Sequence, residues 1–219
     1  MLTIKELFDL SHSMAGDFLA GFTYPWEALP HIKTEILRLI ELLPKDEYTE
    51  AAPQVWAHKT VTIAPTASLN GPAIIGANTQ VRSGAFVRGS ALVGENCVVG
   101  NSVELKNVIL FDNVQVPHYN YVGDSILSYH SHMGAGAVTS NIKSDKTNVV
   151  VRDGEERFET GLRKMGAILG DNVDVGCNSV LNPGTVIGPG TRVYPLSCVR
   201  GFIAPGYIYK NNGEIVKIK

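Results

Sequence analysis

The residues of this chain best suited to chemistry lie in the segment VQVPHYNYVGDS, residues 114–125, which contains His118 and Tyr121. A histidine takes up and releases a proton near neutral pH and is the commonest general base. His118 directly follows Pro117, where the regular hydrophobic repeat of the chain changes phase, so we do not expect it to fill a core. A lone histidine is more often structural than catalytic, and on the residues alone that alternative stays open.

Two basic residues upstream, Arg82 and Lys106, are candidates for holding an anion together. They stand four six-residue units apart, in a part of the repeat where polar residues fall at the surface. A phosphate dianion is bound by clustered cations of this kind. The alternative is that both residues are solvated charges at a corner of the fold.

Three histidines, His118, His130 and His132, raise the alternative of a zinc centre. Imidazole is a common zinc ligand, and residues two apart on a strand face the same way. Such a site would leave Arg82 and Lys106 without a role. We therefore predict no metal ion.

These residues are carried by a six-residue repeat. From residue 63 to residue 111 an aliphatic or aromatic side chain occupies every sixth position, and a mostly small residue stands two places earlier; the large positions are Ile63, Leu69, Ile75, Val81, Val87, Val93, Val99, Leu105 and Phe111. Neither an α-helix nor a flat strand sustains this period, whereas a stacked coil does. Three units close a triangular coil of about 18 residues, and we expect about six coils. The repeat returns over residues 169–199.

The two ends and one internal segment follow other patterns. Residues 1–55 have helical periodicity and predict a small cap on the end of the coil, or alternatively a solvent-facing partner helix. Residues 56–219 form the predicted coil domain, interrupted at about 140–163 by a polar inserted loop or hairpin. The tail predicts a further hairpin through Asn212-Gly213.

Composition excludes several classes of function. The net charge of −2 gives no broad attraction to nucleic acid or to anionic membranes. The start of the chain does not read as a signal peptide, and no apolar run approaches the ~18 residues of a membrane span. Cys97, Cys177 and Cys198 show no metal-ligand spacing. We expect a cytoplasmic protein.

The repeat, together with KNVIL, VPHYNYVGDSIL, MGAGAVTSN and ETGLRKMGAILGDNVDVGCNSVLNPGTVIG, resembles the hexapeptide-repeat acyltransferases. The closest resemblance is to the acetyltransferase domain of the bifunctional N-acetylglucosamine-1-phosphate uridylyltransferase/glucosamine-1-phosphate acetyltransferase, over about residues 60–205. It implies an all-β fold, a left-handed parallel β-helix with a helical cap and an insertion. It also implies a homotrimer that transfers an acetyl group from acetyl-CoA to an amino sugar phosphate.

The resemblance assigns roles to individual residues. His118 matches the general base. The positions that match sugar-phosphate contacts are Arg82, Lys106, Tyr121, Asn141, His132 and Lys146, with Lys143 and Lys164 as rivals of Lys146. The positions that match coenzyme A contacts are Ala135, Cys177 and Pro195. His132 stands where the family often has asparagine, and Ser128-Tyr129 replaces a Gly-acid corner, so the acceptor sugar is less well defined than the donor.

Two further interpretations accompany this one. In the first, the chain is a non-catalytic relative that binds a sugar phosphate or coenzyme A. In the second, it acetylates a different amino sugar. A zinc enzyme similar to a carbonic anhydrase of the same fold is a third, weaker alternative.

Overall fold

The computed structural model describes residues 1–218; Lys219, the end of the predicted domain 56–219, lies outside the described residues. Most of the chain winds into triangular coils with parallel strands stacked on three faces. We number the faces 1, 2 and 3 in the order in which the chain visits them. The predicted all-β fold is confirmed: it is a parallel β-solenoid with a small helical region, consistent with a left-handed β-helix.

The strands on each face are short. Face 1 contains Val55–His58, Ala73–Ile75, Ala91–Val93, Ala167–Leu169, Thr185–Ile187 and Phe202–Ile203. Face 2 contains Thr62–Ile63, Gln80–Val81, Val98–Asn101, Gln115–His118, His132–Met133, Asp174–Val175, Arg192–Val193 and Tyr207–Tyr209. Face 3 contains Ser68–Leu69, Phe86–Val87, Val138–Thr139, Val180–Leu181 and Cys198–Val199. Two longer strands, Glu104–Leu110 and Tyr121–Leu127, turn the corner from face 3 into face 1. Face 1 therefore has eight rungs, more than the six coils expected, because the coil begins at Val55 and continues without a gap through residues 98–127.

The interior of the coil is filled by the large residues of the repeat. Val81, Val99, Val175 and Leu181 are essentially inaccessible to solvent. Full burial of such a side chain contributes roughly 1.5–3 kcal/mol. Each rung buries only a few of them, so the coils depend on their neighbours for a continuous core.

The coil changes phase, but not where the sequence indicates. Gln80 pairs with Val98, 18 residues later, whereas Val98 pairs with Gln115, 17 residues later. Leu110, and not the predicted Phe111, lies beside Val93 on face 1. The coils of this part of the stack are therefore one residue short.

The missing residue is at the corner between faces 3 and 1. There Glu104–Leu110 and Tyr121–Leu127 continue without a break through Asn107 and Asp124, whose φ angles are 55° and 48°. His118 keeps the regular spacing and lies at an ordinary corner between faces 2 and 3. The predicted interruption over 114–125 is thus wrong at His118 and correct only at its end.

The helical segment lies along face 1 and not over the end of the coil as expected. It consists of the helices Ile4–Leu7, Gly16–Ala20 and Ile32–Leu42 and two 3₁₀ turns, Leu10–His12 and Pro25–His31. The last helix contacts three rungs of face 1. The outward residues of that face, such as Ile74 and Leu92, are consequently as buried as the inward ones. Within residues 1–218 no helix combines the length and apolar character needed to cross a membrane.

The end of the coil is covered by a strand. Tyr48–Ala52 pairs antiparallel with Val55–His58, the first rung of face 1. Residues 48–52 are thus extended although the predicted helical segment runs to residue 55. An antiparallel neighbour protects an otherwise open sheet edge.

Both predicted hairpins are present. In the insertion, Val150–Asp153 pairs antiparallel with Glu156–Glu159. In the tail, Tyr207–Tyr209 pairs with Ile215–Lys217, and Gly213 between them has a φ of 83°. Phe158 anchors the inserted hairpin to the helical segment through Tyr24 and Trp26, with ring centroids 5.6 and 6.4 Å away.

Candidate active site

His118 begins a column of predicted site residues along the corner between faces 2 and 3. The carbonyl oxygen of His118 accepts a hydrogen bond from the backbone N–H of the residue that follows Ala135. The carbonyl oxygen of Ala135 accepts one from the backbone N–H of the residue that follows Cys177. The carbonyl of Cys177 in turn accepts from the amide after Pro195. Adjacent rungs of a sheet are about 4.8 Å apart. The predicted base and the three predicted coenzyme A contacts therefore form one line parallel to the coil axis.

A buried amide holds His118 in this column. Asn120 is 2% exposed, and its side-chain oxygen accepts a hydrogen bond of 3.1 Å from the backbone N–H of His118. Its amide nitrogen donates to the carbonyls of Gly134 and Ala137 at 2.8 and 3.0 Å. Asn120 thus joins the His118 corner to the next corner. The His118 side chain is exposed and is left available to a ligand.

The backbone N–H of Ala135 is available as a donor at this corner. Gly134 and Gly136 on either side donate to Val175 and His118. The Ala135 amide, by contrast, donates to no backbone acceptor in residues 1–218. An amide fixed in this way by its neighbours is suited to stabilising a developing oxyanion.

Asp124 is the centre of a second cluster, at the corner between faces 3 and 1. Its carboxylate oxygens lie 3.0 and 3.2 Å from the Lys106 ammonium. They also accept hydrogen bonds from the side-chain amides of Asn107 and Asn141. The Asp124 side chain is 6% exposed and that of Lys106 is 28% exposed. Two predicted substrate residues, Lys106 and Asn141, are thus assembled around a carboxylate.

Tyr121 completes the Asp124 cluster. Its hydroxyl oxygen accepts a hydrogen bond of 3.1 Å from the Asn141 amide. The ring leans over Gly123, where an added Cβ would overlap the hydroxyl. Burial raises the pKa of the Tyr121 phenol, and the Asp124 carboxylate raises it further. The phenol is therefore neutral at neutral pH and keeps a proton to donate to a ligand.

Arg82 is not part of the Asp124 cluster within one chain. Its guanidinium donates to the Gln80 side chain at 3.1 and 3.3 Å and faces a shallow hollow beside Asn101. It lies near the same corner as His118, two rungs away. One chain therefore presents Arg82 and His118 at one edge of face 3, and Lys106 at the other.

The histidines of the zinc alternative are separated. His132 lies on face 2 with its Nδ1 2.8 Å from the Asp174 carboxylate, and the His130 ring packs edge-on against Tyr129. In the described part of the chain no group of three or more His, Cys, Asp or Glu side chains is placed to hold a metal ion. The structure also keeps His132 apart from Lys106 and Asn141.

The insertion places Lys143 and Lys146 differently. The Lys146 backbone N–H closes a turn onto the carbonyl of Lys143. Lys143 borders a cavity of about 490 Å³ between the insertion and the coil, and Lys146 does not. Lys164 bridges to Ile142 at the base of the insertion.

Sequence reasoning missed Asn120 and Asp124 as site residues. Asn120 occupies a position of the repeat that is otherwise apolar or carries a hydroxyl, and that irregularity was a usable signal. Asp124 was part of the quoted motif, but no role was derived for it. Its contacts with residues 17 and 18 positions away depend on how the coils stack.

Comparison with known proteins identifies the family of the chain. The family model of the GMPPB C-terminal domain matches residues 69–194, more than half of the chain. The chain belongs to the GMPPB C-terminal domain family. The match covers the coils that carry His118 and the Asp124 cluster. Together with the relatives below, it confirms the place of the chain among hexapeptide-repeat acyltransferases.

Several curated proteins are similar to parts of the chain. It is 35% identical over 136 residues to the bifunctional protein GlmU of Methanococcus aeolicus, which covers 62% of this chain and 33% of that protein. It is 32% identical over 174 residues to the bifunctional sugar-1-phosphate nucleotidylyltransferase/acetyltransferase of Sulfurisphaera tokodaii, with 71% and 43% covered. It is 26% identical over 214 residues to the putative uncharacterized acetyltransferase YaiX of Escherichia coli, with 88% and 89% covered. The chain spans less than half the length of the first two relatives.

Two solved structures are similar to the chain at low sequence identity. A mutant of the N-acyltransferase AntD from Bacillus cereus, in complex with dTDP and coenzyme A, is 18% identical with a TM-score of 0.44, covering 75% of this chain and 80% of that one. The UDP-N-acetylglucosamine acyltransferase from Campylobacter jejuni is 15% identical with a TM-score of 0.43, covering 73% of each.

Proposed function

We propose that the chain is an acetyl-CoA-dependent N-acetyltransferase acting on an amino sugar phosphate, with glucosamine 1-phosphate as the leading acceptor. The observation that carries this proposal is the single column of His118, Ala135, Cys177 and Pro195 along one corner of the coil. A linear cosubstrate lying along that corner would bring its thioester to the end where His118 stands. The cysteines are free thiols, and with acetyl-CoA as donor they support a cytoplasmic location.

The chemistry assigned to this corner is a simple acyl transfer. The His118 imidazole accepts a proton from the sugar ammonium, and the freed amine attacks the thioester carbonyl to form the C–N bond. The Ala135 amide donates to the oxyanion. The nitrogen releases its second proton to solvent as the C–S bond breaks, and the coenzyme A sulfur leaves with the proton returned by the imidazolium. Tyr121 and Asn141 position the sugar, and Lys106 and Arg82 face its phosphate.

We propose a homotrimer, because one chain divides the site between two edges. Arg82 and His118 lie at one edge of face 3 and Lys106 at the other. Apolar side chains are exposed along the His118 corner and face 3, a distribution suited to burial against other copies; they are Tyr119, Val180, Tyr194 and Leu196. Packing of copies edge to edge would bring Lys106 of one copy close to Arg82 and His118 of the next.

The decisive experiment measures thiol release from acetyl-CoA with glucosamine 1-phosphate. We expect His118→Ala to lower kcat by about 10²–10⁴-fold, the usual contribution of a general base. His31→Ala, an exposed histidine stacked on Phe22 in the helical segment, is the matched control and should leave the rate unchanged. Full activity of His118→Ala would refute the assignment.

One observation favours a second candidate, a non-catalytic module that binds coenzyme A or a sugar phosphate. The ammonium of Lys106 is already paired with Asp124, so a phosphate would have to share it. A panel of amino sugars and amino sugar phosphates separates the candidates. Turnover with a different acceptor identifies another amino-sugar acetyltransferase, whereas coenzyme A binding without turnover on any acceptor identifies the binding module.

A further inference from the structure

The inserted hairpin forms one wall of the cavity mentioned above, which we call the hairpin cavity. Arg152 and Arg157 come from one face of the hairpin, and Asn182 and Arg200 come from the corner of the coil between faces 3 and 1. The opposite face of the hairpin is held against the helical segment by Phe158. The cavity of about 490 Å³ therefore has two fixed walls and a size typical of a small-molecule site.

The charge of the hairpin cavity is strongly one-sided. Four cations border it, Lys143, Arg152, Arg157 and Arg200, against one carboxylate, Asp145. Lys143 is paired with that carboxylate at 3.2 Å. The positive charge of the three arginines is thus not balanced by the lining of the cavity.

The arginines have little compensation elsewhere in the chain. Arg152 and Arg157 stand directly opposite each other in the hairpin, an arrangement that is unfavourable for like charges. Arg157 has only a distant contact with Glu159, at 3.8 Å. Arg152 and Arg200 form no ion pair with any carboxylate of residues 1–218. An anion between these guanidinium groups would relieve their repulsion.

We propose that the hairpin cavity binds the phosphate group of a nucleotide. That group is either a diphosphate or a phosphomonoester. Guanidinium groups bind phosphate oxygens in pairs, and three from two walls match an ion with several oxygens. The cavity adjoins the Asp124 cluster, because Asn141 lies between two of its lining residues, Ser140 and Ile142. The phosphate comes either from coenzyme A or from a nucleoside diphosphate on the acceptor. The site does not depend on catalysis.

The test is calorimetric binding of four probes at low salt: inorganic pyrophosphate, UDP, coenzyme A and 3′-dephospho-coenzyme A. We compare the wild type with the double variant Arg152→Gln, Arg200→Gln and with Arg192→Gln, an exposed arginine on face 2. Pyrophosphate should bind the wild type and Arg192→Gln equally and the double variant at least tenfold more weakly. The single variant Arg200→Gln, which leaves the hairpin intact, serves if the double variant fails to fold.

The other probes identify the source of the phosphate. A loss confined to coenzyme A, spared in its 3′-dephospho form, assigns the cavity to the 3′-phosphate. A loss for UDP assigns it to a nucleoside diphosphate on the acceptor. If no probe binds the wild type more tightly than the variants lacking Arg200, the proposal is overturned.

Discussion

At the scale of single residues, the most informative contact is the ion pair of Lys106 with Asp124. Lys106 was expected as a cation for a sugar phosphate, yet its ammonium faces a nearly buried carboxylate that also accepts from Asn107 and Asn141. A buried carboxylate is tolerated only when its oxygens are satisfied. Asp124 therefore orients Lys106 and Asn141 and is a structural requirement of the cluster.

We predict that Asp124→Asn lowers the free energy of unfolding by about 1–3 kcal/mol, because an amide group would face donors that need an acceptor. Glu104→Gln is the matched control. It removes the carboxylate of the Arg88 pair, whose side chains are 53% and 32% exposed, and exposed pairs contribute less than about 1 kcal/mol. Urea denaturation measures both, and equal losses would contradict the structural role of Asp124.

The three cysteines should differ in reactivity. Burial raises the pKa of the Cys97 thiol to about 12, so almost no thiolate exists at pH 8, and only the thiolate is nucleophilic. Cys177 and Cys198 are exposed. We expect iodoacetamide at pH 8 to spare Cys97 in the native protein and to label all three cysteines in denaturant, as measured by mass spectrometry. Native labelling of Cys97 would show that the coil opens there.

At the scale of the structural elements, the corners of the coil decide where His118 lies. Gly100 stands on the rung before Pro117, and a Cβ there would overlap the backbone of Pro117. Close stacking of these corners depends on the absence of a side chain at Gly100. The position of His118 therefore depends on a residue without chemistry of its own.

We predict that Gly100→Ala destabilises the protein by about 3 kcal/mol, at the upper end of overpacking effects, because the overlap is with backbone. Gly190→Ala is the control. Its φ is 67° and nothing lies near the added methyl group, so only the strain of about 1–2 kcal/mol applies. Thermal unfolding compares the two. A smaller effect at Gly100 would mean that the corner can move.

At the scale of the whole molecule, face 1 and the His118 corner differ in what covers them. Face 1 is covered within the chain by the helical segment. The His118 corner leaves Leu196 69% exposed and Tyr119 65% exposed. Exposed apolar strips of this kind mark association surfaces. This asymmetry supports assembly through faces 2 and 3 and leaves face 1 outward.

We predict that Leu196→Asp dissociates the proposed trimer, because it puts a charge in the apolar strip. Leu196 has a φ of 61°, a conformation that aspartate tolerates better than leucine, so the fold should survive. Leu42→Asp, at the 65% exposed end of the last helix, is the control. Size-exclusion chromatography coupled to light scattering measures the molar mass of each variant. If Leu196→Asp and the wild type have the same mass, the strip is not an interface.

The pattern of the sequence was sufficient to predict the coil, both hairpins and the helices. The repeat of large residues has one solution, a stacked coil, because each unit buries too little surface by itself. The roles of His118, Ala135 and Cys177 came from the resemblance to the acyltransferases, and only the stacking of the coils shows that the three residues form one column. The coil and the hairpins follow from local patterns of the sequence.

Only the tertiary structure decided the rest. The helical segment covers face 1, where runs such as Ala73–Ile75 are apolar on both sides, and the sequence does not say which segment covers such a run. Asp124 meets Lys106 because coils lacking one residue turn tightly at Asn107 and Asp124. The arginines of the hairpin cavity converge because the hairpin folds back on the coil. Contacts between distant residues follow from how the coils are stacked, and the period of the sequence does not contain that information.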